Sequence, residues 1–128
     1  MEVIFTEDEL RLLATMHASA RAFDLSGMFV SRQIVNDLGW DQVYLEKIQS
    51  YLSEWGLIAH GNVPGGGWAN FHLTGIGENF MRHLERELRA KQVPLPGLLS
   101  GEEFMKMEPA LRQQVLEMAA QVMGRLKA

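Results

Sequence analysis

The sequence predicts a mainly α-helical chain with one small β-hairpin and an appended C-terminal helix. Three observations carry this fold class. Apolar residues recur at three-and-four spacing in several long stretches, two short β-compatible runs flank a Pro-Gly-rich segment, and a proline-glycine break sets off the last helix. The chain has 128 residues, 47% of them hydrophobic, which is enough for one compact core. Residues 1–91 read as the main domain, 92–101 as a Pro/Gly linker and 102–128 as a C-terminal helical extension.

The first helix is announced by Phe5-Thr6-Glu7-Asp8-Glu9-Leu10. Thr6 can cap, Glu9 can reach back in a capping box, and Phe5 can pack on Leu10 as a hydrophobic staple. Leu10, Leu13, Ala14, His17 and Ala20 then keep helical spacing up to a stop near Ser26-Gly27, and Met28-Phe29-Val30 follows as a short extended link. Ser31 caps a short second helix with Ile34, Val35 and Leu38 inward, and Gly39 ends it. Asp41 caps the third helix, whose Tyr44, Leu45, Ile48, Tyr51, Leu52 and Trp55 share one stripe before Gly56 stops it.

Leu57–Asn62 and Trp68–Leu73 form the hairpin around Val63-Pro64-Gly65-Gly66-Gly67. Thr74 caps a fourth helix running to about Lys91, in which Ile76, Phe80, Leu84 and Leu88 recur every four residues. Beyond the linker residues Pro94, Pro96, Gly97 and Gly101, a helical turn is expected over Glu102–Met107, and Pro109 starts the last helix. Leu111, Val115, Met118, Val122 and Leu126 line one face of that helix, widened by Leu116, Ala119 and Met123.

Composition narrows the chemistry. There is no cysteine, which excludes disulfides, thiolate metal sites and a cysteine nucleophile. Neither a run of about eighteen apolar residues nor a basic-then-apolar leader is present, so a soluble cytoplasmic protein is expected. His17, His60, His72 and His83 lack metal-ligand spacing, and His60 and His72 are placed to face each other across the hairpin. Gly65-Gly66-Gly67 has no following lysine and opens no helix, and no nucleophile with its base is visible. The expectation is a binding protein, not an enzyme, with no cofactor and no metal. Trp55 belongs to the core stripe, whereas Trp40 and Trp68 are expected to be partly exposed.

The charge pattern is uneven. The net charge is −4, and residues 1–91 hold eight Lys or Arg against twelve Asp or Glu. Arg82, Arg86 and Arg89 share one side of the fourth helix. Glu78 with Arg82, Glu85 with Arg89 and Glu87 with Lys91 are acid-first pairs at four-residue spacing, which predict a solvated, internally neutralised face.

Two phrases carry a resemblance. Leu52-Ser53-Glu54-Trp55-Gly56-Leu57-Ile58 resembles the end of the recognition helix in bacterial winged-helix regulators, which follows a Leu-Gly turn such as Leu38-Gly39. Leu73-Thr74-Gly75-Ile76-Gly77-Glu78-Asn79-Phe80 resembles the phrase that opens the helix after the wing. With the order of elements, these make residues 6 to 91 similar to the winged helix-turn-helix superfamily of bacterial or phage regulators.

The resemblance implies a dimeric transcriptional regulator that binds double-stranded DNA. Gln42, Val43, Glu46, Lys47 and Ser50 would then enter the major groove, with Gln42 on an adenine edge and Lys47 on a phosphate or guanine. Arg32 would add a phosphate contact, and Asn62, Gly65, Gly66 and Trp68 of the wing would touch the backbone or minor groove. Leu111, Val115, Met118, Val122 and Leu126 would form a homodimer, the alternative being that this helix folds back onto the first helix of its own chain. The alternative is an acidic winged-helix protein-interaction module, an adaptor or phage-type effector, since the acidic balance of residues 1–91 disfavours DNA.

Overall fold

A computed structural model describes residues 5–23, 29–30, 38–60, 70–93 and 99–127. The expected second helix and the wing loop, Asn62 to Trp68, lie outside the described residues except for Leu38 at the helix end. Helix α1 spans Glu7–Phe23. Half of its capping box forms: the Thr6 backbone N–H donates to Glu9 Oε2 at 2.9 Å. Phe5 is buried, and its ring stacks on Phe80 with centroids 5.3 Å apart.

Gly39 takes φ +75°, a left-handed conformation in which a side chain would be strained, and the chain turns there into α2, Gln42–Glu54. Asp41 Oδ1 accepts the Tyr44 N–H at 2.8 Å, satisfying a free donor of the first turn. The far end of α2 closes on Gly56, φ +76°, where Leu57 N–H donates back to the Leu52 carbonyl at 3.1 Å. Both glycine positions and the Asp41 cap are as the sequence predicts.

Three strands form one antiparallel sheet of order β1-β3-β2, comprising β1 (Phe29–Val30), β2 (Ile58–His60) and β3 (Asn70–Leu73). The hairpin is joined by a third strand, because the Phe29-Val30 link pairs with Phe71 and Asn70 on the free edge of β3. Register also corrects the histidine expectation. His72 lies opposite Ala59 and His60 opposite Phe71, so the two histidines are not cross-strand partners.

Thr74 begins α3, Gly75–Ala90, and binds it to the end of α2. Its hydroxyl oxygen accepts the Gly77 N–H at 3.0 Å, while the hydroxyl lies 2.5 Å from the Gly56 carbonyl and donates to it. Gly77 sits so close to this turn that a Cβ there would fall 2.2 Å from the Leu57 carbonyl oxygen. These contacts are the physical content of the two phrases quoted above.

Ile76 departs from the expected stripe and is 55% exposed. Four-residue spacing drifts by roughly 40° per step around a helix of 3.6 residues per turn, so Ile76 falls outside the face that buries Phe80, Leu84 and Leu88.

The C-terminal segment is part of the same core. Helix α4, Gly101–Lys106, is capped by Ser100, packs on α1, and seats Gly101 where a Cβ would fall 2.3 Å from Thr15 Oγ1. Helix α5, Pro109–Lys127, packs on α3 and also touches α1. Val115, Leu116, Met118, Ala119, Val122 and Met123 are buried in one cluster with Leu45, Leu52, Phe80 and Leu84. Of the two alternatives for the stripe of α5, the described residues take the one packed in cis. Leu111 and Leu126 are half-buried, and the stripe's centre is covered in cis.

Candidate functional site

Burial of Leu45, Ile48, Gln49 and Leu52 orients α2 and turns its opposite side outward, while Asp41 fixes where the helix begins. The structure brings Gln42, Val43, Glu46, Lys47 and Ser50 onto that side, all exposed, with Val43 78% open to solvent. Gln42 Nε2 donates to Glu46 Oε1 at 3.3 Å, so its amide is turned along the helix. Glu54 is exposed on the same helix, leaving Lys47 as its one cation against two exposed carboxylates. Arg32 and the wing residues Asn62, Gly65, Gly66 and Trp68 lie outside the described residues.

One flank of this face is aromatic. Trp40 and Tyr44 meet edge to face at 5.3 Å, and Tyr51 and Trp55 make a second pair at 6.3 Å. All four are partly buried and pack against the core, Trp55 among them as its place on the core stripe predicts. Tyr44 also donates its hydroxyl to an Asp8 carboxylate oxygen, tying α2 to α1. That hydrogen bond, with burial and the Asp8 charge, pushes the Tyr44 hydroxyl up to about 12. The aromatic flank is therefore held in place from two sides.

A polar hub lies beneath α3. His17 is fully buried and donates from Nε2 to Glu85 Oε1 at 3.1 Å. The other Glu85 oxygen accepts the Leu99 N–H at 2.8 Å, so one carboxylate joins α1, α3 and the entry to α4. Burial pushes the Glu85 carboxyl up, but the His17 and Leu99 hydrogen bonds and the His17 and Arg89 charges outweigh it and hold it below its ordinary range. Glu78 Oε2 approaches the opposite side of the ring, 3.4 Å from His17 Nδ1. Periodicity alone placed His17 on the buried stripe; its partner, 68 residues away, has no local signature.

The acid-first pairs expected along α3 are drawn partly into other contacts, while the Arg89 charge still acts on Glu85. Glu78 and Glu85 turn toward His17, and Glu87 pairs with Arg125 of α5 at 3.0 Å. A cleft of about 540 Å³ opens between α1, Leu38 and α4, lined by Arg11, Thr15, Ser100, Met105 and Lys106. Lys106 is committed to Glu102 at 3.3 Å, and the lining brings together no nucleophile with a base. Among the described residues no helix is long and apolar enough to cross a membrane.

No protein-family model, no curated protein and no solved structure matches this chain.

Proposed function

We propose that this chain is a winged helix-turn-helix module that works by protein contact through the outer face of α2. Support for the fold comes from the order of α1, β1, α2, β2, β3 and α3, with a glycine turn ahead of α2 and a third strand ahead of that turn. A fold of this kind leaves the partner open, so the function rests on the site. The observation that carries it is the make-up of the α2 face: a 78% exposed valine in its first turn, an aromatic flank, and one lysine against Glu46 and Glu54.

DNA-reading helices bring several cations to the phosphates and leave their amides free for base edges. Here the Gln42 amide is bonded to Glu46, and Lys47 is the one cation of α2. Aromatic residues with few cations match the centre of a protein–protein interface instead. A photo-reactive phenylalanine analogue in place of Val43 tests this in cells, with the same analogue at exposed Glu117 of α5 as control. The expected result is a discrete protein adduct from position 43 and none from 117. A nucleic-acid adduct at position 43, or equal yields at both positions, would contradict the proposal.

A further inference from the structure

The cleft between α1, Leu38 and α4 has a volume of about 540 Å³, inside the roughly 300–1,000 Å³ range of small-molecule sites. Arg11, Thr15 and Ala18 stand at three-and-four spacing on one side of α1 and form one wall. Gly101 brings the start of α4 onto that wall: a Cβ there would fall 2.3 Å from Thr15 Oγ1 and 3.4 Å from Arg11 Cγ. Ala18, Leu38 and Met105 give the cleft its apolar surface, and Met105 is 38% exposed.

Arg11 is half-buried, and among the described residues no hydrogen bond or ion pair engages its side chain. The acids nearest to it along α1 are turned to other partners. Glu7, one turn back, takes Arg112 Nε at 2.7 Å, and Asp8 accepts the Tyr44 hydroxyl. Glu102 also lines the cleft, but it pairs with Lys106 at 3.3 Å, and both of those side chains are largely exposed at the rim. The cleft therefore holds one guanidinium without an acid, partly withdrawn from water and bordered by apolar side chains.

We infer that this cleft binds a small monocarboxylate with an apolar body. A guanidinium takes a carboxylate through two parallel hydrogen bonds, and the attraction is stronger in a partly desolvated cleft than in open water. Two hydroxyls stand beside it. Thr15 lies one turn along α1, and Ser100 Oγ accepts the Glu103 N–H at 3.0 Å while keeping its own proton to donate. Ala18, Leu38 and Met105 then cover the apolar body. A phosphate group fits less well, because it brings close to two negative charges to one unpaired cation with Glu102 at the rim. The site lies apart from the outer face of α2 and does not depend on the protein-contact reading.

The test uses octanoate as the probe, with 1-octanol and inorganic phosphate as controls, on the full chain by methyl and amide NMR. Octanoate is expected to shift the Thr15, Leu38 and Met105 signals saturably in the roughly millimolar range, and both controls to bind more weakly. Arg11→Gln should weaken octanoate binding roughly 5- to 50-fold, with Arg11→Lys falling between. Ala18→Leu, which keeps the cation and fills the cleft, should weaken it as well. Circular dichroism checks that the variants keep the fold, and Val43→Ser should leave octanoate binding unchanged whatever it does to cross-linking. Octanol binding as tight as octanoate, tighter binding of phosphate, or indifference to Arg11→Gln would overturn the inference. So would shifts scattered away from the cleft, or no saturable shift at all.

Discussion

Gly77 shows how one residue closes two elements together. Its α-carbon sits against the Leu57 carbonyl, so Gly77→Ala must move backbone and is expected to cost about 1–3 kcal/mol. Gly75→Ala, two residues earlier and in open space, is expected to be neutral or mildly stabilising, and paired urea denaturation curves check the contrast. Glu85 gives a pH signature. Its carboxyl is held below the ordinary 4.5 in the fold, so its stabilisation is present above 4.5 and lost as pH falls through the folded value. Glu9 works in the opposite sense: burial raises it above 4.5, so its contribution is present below 4.5 and lost as pH rises through its folded value. Glu85→Gln is therefore expected to flatten the acid loss of Tm between about pH 3 and pH 6, and Glu9→Gln to steepen it. The Asp41 and Thr74 caps were legible because a cap is local. The Glu85 hub was not, because pairwise charge spacing favoured Arg89 and nothing in the sequence shows His17 arriving from another helix.

Helices and strands were legible where periodicity was strict. The boundaries of α2 and the Pro109 start of α5 agree with the sequence reading because cap, stripe and glycine stop point the same way. Leu52 combines these signals: it is fully buried and its carbonyl receives Leu57 N–H in the turn that ends α2. Leu52→Ala is expected to destabilise by roughly 2–5 kcal/mol, measured by thermal or chemical unfolding. Ile76 shows the limit of an every-four pattern, which walks off the buried face over three turns. Strand β1 shows another: two residues are too few for an alternation signal, and their pairing with β3 is a tertiary event. The arginine row of α3 was visible in sequence, but not that packing would also draw Glu78 and Glu85 toward His17 and Glu87 to Arg125.

At the scale of the molecule, the expected division into a domain and an extension gives way to one core. Leu99, Phe104, Val115, Ala119, Val122 and Met123 are buried with the residues of α1, α2 and α3. Truncation after Lys91 strips these side chains from the core and is expected to abolish cooperative unfolding, while the full chain is expected to scatter light as a monomer at micromolar concentration. A dimer that Val115→Asp dissociates into folded monomers would contradict this. The breadth of the α5 stripe was legible; its destination was not, since an apolar face reads the same whether its own chain or another covers it. On the proposed reading, function lies in the outer face of α2, where exposed Glu46 and Glu54 outnumber Lys47. The most direct measurement of the central claim is fluorescence anisotropy of a random duplex at low salt, comparing the full chain with Lys47→Ala. The expected result is a flat signal for both proteins up to tens of micromolar. Saturable, salt-dependent binding that Lys47→Ala weakens would contradict the claim and restore the DNA-binding regulator.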